Sequence, residues 1–192
     1  MHVALLGGVF DPPHLGHVWM AQQMLDFAGV DEVWFLPNYT QSAPAKDATP
    51  VEHRLAMITL LESPKIKVST IEIDNKLDGE TVHVLPFLPK DREFSFVIGS
   101  DQLAGFTKWL DWEKLLAAMP FWVFPRAGYP PEPLYNNMKV VEHDQLVVSN
   151  LSSTVIRDRV RQGRSIAPFV PKAVAEYIQE YNLYRKFLIS NS

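Results

Sequence analysis

The stretch that most constrains the fold is Gly7-Gly8-Val9-Phe10-Asp11-Pro12-Pro13-His14-Leu15-Gly16-His17. A continuously apolar run, Val3 to Leu6, leads into it, and residues at helical spacing (Met20, Met24, Phe27) lead out. An unbroken apolar strand is expected to be buried on both faces, as in parallel sheets. The Gly/Pro stretch then reads as the first strand-to-helix turn. Gly7 and Gly8 admit backbone angles closed to other residues and let a ligand approach the main chain. Asp11 is placed to cap the turn or orient a neighbouring donor. His14 and His17, three apart, share one face of a first helical turn. The free N–H groups and positive dipole end of that turn make an anion site. Two imidazoles beside an anion site point to phosphate chemistry.

The rest of the chain extends this unit. A helix over Val18–Phe27, ended by Gly29, is followed by a strand at Glu32–Pro37, which implies a right-handed crossover and a parallel sheet. A polar, Pro-interrupted loop from Asn38 to Pro50 is long enough to be functional, and it contains Lys46. A helix at Val51–Leu61 carries Arg54 in its first turn, and Lys65–Ile73 alternates as a strand. Thr81–Leu88 reads as a short helix limited by Pro86 and Pro89. Phe94–Ile98 reads as a central strand that delivers Asp101 to its carboxyl end, where open α/β sheets place ligands. Short helices at Gln102–Phe106 and Trp112–Met119 precede a strand at Phe121–Phe124. Met138–Val141 and Gln145–Val148 read as short strands. Ser153 or Thr154 is expected to cap a helix to about Gln162, and Pro171 to open a last one to Tyr181. The sum is one doubly wound α/β domain over residues 1–192, with a tail after about Tyr184.

Bulk properties narrow the function classes. A net charge of −4 supplies no global basic field for nucleic acid, so phosphate binding must be local. Without cysteine there is no disulfide framework, thiol nucleophile or thiolate zinc site. No stretch has the ~20 apolar residues of a membrane helix, and the short N-terminal apolar run lacks the basic lead of a signal peptide. The expectation is a cytoplasmic protein with no membrane or nucleic-acid partner. Homo-oligomerisation is left open.

The Gly7–His17 stretch resembles the signature of the HxGH nucleotidyltransferase superfamily, most closely that of bacterial nicotinate-nucleotide adenylyltransferases. Their second signature, SSTxIR, is matched by Ser152-Ser153-Thr154-Val155-Ile156-Arg157, and the similarity runs from Met1 to about Tyr184. The resemblance implies a Rossmann-like nucleotidyltransferase fold and adenylyl transfer from ATP to nicotinate mononucleotide in NAD biosynthesis. Magnesium would travel with ATP, and no protein metal site is expected. His14, His17 and Arg157 would be catalytic. Gly7, Gly8, Val9, Phe10, Lys46, Ser152, Ser153 and Thr154 would join them around ATP. Arg157 lies one helical turn beyond Ser153, so both can face one anion. Asn38, Arg54, Thr81, Asp101, Trp109 and Arg126 are the acceptor-side candidates. Of these, Asp101 would hold a ribose hydroxyl, Trp109 would stack on the pyridine ring, and Arg54 and Arg126 would meet the acceptor's phosphate.

Three departures fall on the acceptor side. Gly79-Glu80-Thr81 stands where the family has Ser-Tyr-Thr, Ser42-Ala43-Pro44-Ala45 precedes Lys46 where many relatives have Pro-Pro-His, and Leu110 replaces a common tyrosine. The alternatives are therefore nicotinamide mononucleotide or another phosphate acceptor, or a nucleotide-binding sensor without catalysis.

Overall fold

The computed structural model describes residues 1–40 and 49–185. Six strands form one all-parallel sheet in the order β3-β2-β1-β4-β5-β6. They are β1 (His2–Gly8), β2 (Glu32–Pro37), β3 (Ile66–Val68), β4 (Glu93–Gly99), β5 (Phe121–Phe124) and β6 (Met138–Val140). The α-helices are α1 (Leu15–Phe27), α2 (Val51–Thr59), α3 (Ile71–Asp74), α4 (Trp112–Ala118), α5 (Ser153–Arg161) and α6 (Lys172–Glu180). Thr81–Phe87 and Ser100–Lys108 are wound as 3-10 helices.

Strand alternation builds two cores, one on each face of the sheet. Ala4 and Leu6 of β1, with Val33, Phe35 and Val97, pack against α1, α2, α5 and α6. Val3 and Leu5, with Phe96, Ile98, Phe121 and Val123, pack against α4 and the two 3-10 segments. β1 is apolar at every position from Val3 to Leu6 because both of its faces are covered, as the sequence predicts. The chain reverses its direction of winding between β1 and β4, so the carboxyl ends of these strands form the switch-point crevice.

Four local expectations are corrected. The strand expected over Lys65–Ile73 stops at Val68, because Thr70 Oγ1 bonds Asp74 Oδ2 at 2.6 Å and closes a helical turn, α3. Gln145–Val148 is not a strand. Gln23 of α1 instead takes both polar main-chain groups of Val147, so a side-chain amide does the work of a neighbouring strand. The cap of α5 is Ser152, whose Oγ accepts the Val155 N–H, rather than Ser153 or Thr154. Pro171 occupies the cap of α6 and does not enter its first turn. Among the described residues, no helix is long and apolar enough to cross a membrane.

Candidate active site

The turn after β1 is built around Phe10. Its φ of +53° costs roughly 1–2 kcal/mol for a non-glycine residue. Burial of the phenyl ring, edge-on to His17 at 4.9 Å and to Phe35 at 5.5 Å, offsets that cost. Asp11 is 4% exposed and acts as a structural node. Its carboxylate accepts the Tyr184 hydroxyl at 2.7 Å and the Thr49 N–H at 3.2 Å. The two sequence signatures are joined here by direct bonds. Arg157 donates to the Asp11 carbonyl at 2.6 Å, and Ser153 Oγ donates to the Pro12 carbonyl at 2.8 Å.

His14 caps α1 and His17 is its third residue; their rings stack with centroids 3.7 Å apart. The His14 N–H donates to His17 Nδ1 at 3.2 Å. A neutral imidazole that accepts at Nδ1 carries its proton on Nε2, so the backbone sets His17 up as an Nε2–H donor. Burial, helped by the Arg126 charge, lowers the His14 pKa to about 3. Burial, then His14 and Arg126, also hold His17 well below the ordinary histidine range. Both rings are therefore neutral at pH 7 without a ligand. Gly16 sits between them in sequence for a steric reason. A Cβ there would lie 3.0 Å from His14 Nδ1 and Cε1.

Beside these rings is a cleft of about 210 Å³ lined by His14, His17, Asp101, Arg126, Ser152 and Ser153. The amino ends of α1 and α5 both open on it through their capping residues, His14 and Ser152, which favours an anion. Within it, His14 Nδ1 and Arg126 Nε are buried polar atoms that make no hydrogen bond among the described residues. Asp101 and Arg126 form an ion pair at 3.8 Å, and a side chain on Gly99 would displace the Asp101 carboxylate and press on the Arg126 stem. Among the described residues, no group of three or more His, Asp or Glu could hold a metal.

A larger cleft, about 520 Å³, adjoins the first. It is lined by Val9, Asn38, Thr81 and Trp109, and by Glu72, Glu80 and Lys108. Trp109 is half-buried and rests against Phe96 and Phe106. Gly7 and Gln102 line both clefts, and Gly8 lines the larger. A Cβ on Gly7 would come within 2.7 Å of Phe96 Cζ, so glycine keeps this shared floor open.

The expected site residues thus sort into three groups. Gly7, His14, His17, Ser152 and Ser153 come together with Asp101 and Arg126 in the smaller cleft; the last two were expected on the acceptor side. Asn38, Thr81 and Trp109 gather in the larger cleft with Gly8 and Val9. Arg54 lines neither. It is 2% exposed, and its guanidinium donates to the carbonyls of Val9, Asn38, Tyr39 and Thr49 at 2.8–3.1 Å. It holds main chain together and has no free edge for an acceptor phosphate. Arg157 spends two N–H groups on Asp11 and Thr154, leaving others of its fork for an anion. Thr154 is exposed beside it, and Lys46 lies outside the described residues. Sequence reasoning missed Gln102, Lys108, Glu72 and Tyr184. The first two adjoin Asp101 and Trp109 and were open to the same strand-end argument. Glu72 was hidden in a mistaken strand, and nothing in the sequence marks Tyr184.

The family model described as cytidylyltransferase-like matches residues 5–159. The chain is 37% identical over 196 residues to the "Probable nicotinate-nucleotide adenylyltransferase" of Salinibacter ruber, covering 96% of this chain and 98% of that one. It is 36% identical to the protein of the same name from Myxococcus xanthus, with 96% and 95% covered. The fold matches the Plasmodium falciparum nicotinic acid mononucleotide adenylyltransferase complexed with NaAD at a TM-score of 0.81 and 21% identity, covering 95% of this chain and 97% of that one. On the matched family model and the full-length likeness to these relatives, the chain belongs to the cytidylyltransferase-like nucleotidyltransferases, within the nicotinate-nucleotide adenylyltransferase family.

Proposed function

We propose that this protein transfers the adenylyl group of ATP to nicotinate mononucleotide, giving nicotinate adenine dinucleotide and pyrophosphate. The observation that carries this reading is the pair of adjoining clefts. One presents helix ends, imidazoles and Arg126 to an anion; the other has a tryptophan wall for a flat ring. They meet at Gly7 and Gln102, where two substrates would be joined.

In the reaction, a phosphate oxygen of the mononucleotide attacks the α-phosphorus of ATP. The bond to the β-phosphate bridging oxygen breaks in line, and pyrophosphate leaves. Such transfers need positioning and charge stabilisation more than covalent chemistry. His17 Nε2–H is the pre-oriented donor to the α-phosphate oxygens, where charge builds. His14, the α1 and α5 amino ends and Arg126 would neutralise the triphosphate, with Ser152, Ser153, Thr154 and Arg157 at its leaving end. Asp101 would accept from a ribose hydroxyl. Trp109 would stack on the pyridine ring, with Asn38 and Thr81 beside it. Arg54 acts as a positioning residue for the cleft wall. Magnesium enters as part of the substrate, Mg–ATP. Among the described residues the only acidic one lining the smaller cleft is Asp101, so the donor set offers phosphate and water oxygens rather than a protein cage.

The test is pyrophosphate release from Mg–ATP with nicotinate mononucleotide. Release that requires the mononucleotide and yields the deamido dinucleotide is the expected result. ATP binding without release would instead favour a nucleotide sensor.

A further inference from the structure

The nicotinate and nicotinamide acceptors differ in one group, a carboxylate against a carboxamide. The acceptor cleft has an unexpected acidic side for a carboxylate-bearing ring. Glu72, from the four-residue α3, is 2% exposed yet lines this cleft. Among the described residues its one hydrogen bond is a long one, 3.4 Å, from the Tyr39 N–H to Oε2. Glu80 lines the same cleft, and Asp78 lies close by. A buried, thinly bonded carboxyl group facing a ligand cleft is poorly explained by stability alone.

We propose that Glu72 selects the acceptor: its protonated carboxyl donates to a pyridine carboxylate, and its ionised form accepts from a pyridine carboxamide. This rests on the adenylyl-transfer reading above. The chemistry is that of a two-state donor. A carboxylic acid offers an O–H, which a nicotinate ring needs and a carboxylate cannot give. An ionised carboxyl group offers only acceptors, which suit the carboxamide N–H₂ and repel nicotinate.

The surroundings hold Glu72 near the crossover. Burial raises its pKa to about 7; the charges of Asp78 and Glu80 push the same way, while the Tyr39 N–H and the Arg54 charge oppose it. Arg54 of α2 donates to four carbonyls, so its charge acts at a distance. Lys108, from the segment after β4, is the one cation among the described residues lining the cleft.

The experiment measures kcat/KM for nicotinate and nicotinamide mononucleotides from about pH 6 to pH 8. Both acceptors carry the same phosphate, so its titration cancels in their ratio. With a midpoint of about 7, each form of Glu72 changes about tenfold over that range, so the nicotinate-to-nicotinamide ratio should fall by up to about a hundredfold. In Glu72→Gln, whose amide always offers both donor and acceptor, the ratio should be flat. A flat wild-type ratio, or an unchanged slope in Glu72→Gln, overturns the proposal. Should Glu72→Gln not fold, Glu80→Gln decides. Loss of that like charge should move the midpoint to lower pH, and an unmoved midpoint overturns the proposal. If neither acceptor releases pyrophosphate at any pH, the adenylyl-transfer reading itself fails and takes this one with it.

Discussion

Gly16→Ala separates the stability of this fold from the geometry of its site. Gly16 is buried in the first turn of α1, where its φ is not left-handed, so alanine suits its backbone. On helix propensity alone the change should stabilise by about 1 kcal/mol. Against this, the new Cβ would lie 3.0 Å from two atoms of the His14 ring and 3.6 Å from Leu151 Cβ. The ring must yield by a few tenths of an ångström, a small strain that offsets part of the gain. It cannot move alone, because it stacks on His17 at 3.7 Å and the His14 N–H fixes His17 Nδ1. A misplacement of about 1 Å in a positioned group costs about a hundredfold in rate, so a few tenths of that predicts a loss of about three- to tenfold. The expected result is therefore an unfolding temperature within a few degrees of wild type and a kcat for pyrophosphate release reduced about three- to tenfold. Unchanged kcat would refute the role assigned to the Gly16–His14 contact. Parallel losses in stability and rate would instead mean that the strain spreads into the turn.

Three further outcomes are expected. His17→Ala should lower kcat by about two orders of magnitude or more with little change in unfolding temperature, since it removes a transition-state donor; near-normal turnover would remove His17 from that role. Trp109→Ala should raise the KM of the mononucleotide and leave that of ATP nearly unchanged, because Trp109 lines only the larger cleft; an equal effect on ATP in steady-state kinetics would contradict the stacking role. Arg54→Ala should destabilise by about 3 kcal/mol or more in denaturant unfolding, since each buried carbonyl it orphans costs about 1–3 kcal/mol; a raised acceptor KM in a fully stable variant would instead make Arg54 a ligand.

Local chemistry that repeats along the chain was legible from the residues alone. The unbroken apolar β1, the glycine pair and the HxGH spacing each carry their physics within a few positions. Pairing was harder to read. Val147 satisfies its main chain through Gln23, which is 124 residues away, so its apolar pattern looked like a strand without being one. α3 was hidden because the alternation Lys65–Ile73 gives no sign of the Thr70–Asp74 bond that turns the chain.

The residues alone specify a parallel α/β chain with a phosphate-seeking turn after its first strand and a basic helix that matches it. Those properties depend on short-range periodicity and on backbone freedom at glycine. Which charges are free to meet a substrate follows from the packing of the whole fold. Arg54 looks like a surface cation in a first helical turn, yet the fold gathers four carbonyls from residues 9, 38, 39 and 49 around it. Arg126 and Asp101 were expected beside the acceptor, yet adjacency of β4 and β5 brings them to the histidines. Glu72 gave no sign of being a buried acid. A charge's role depends on its solvation and on partners distant in sequence, and burial is set only when the whole sheet closes.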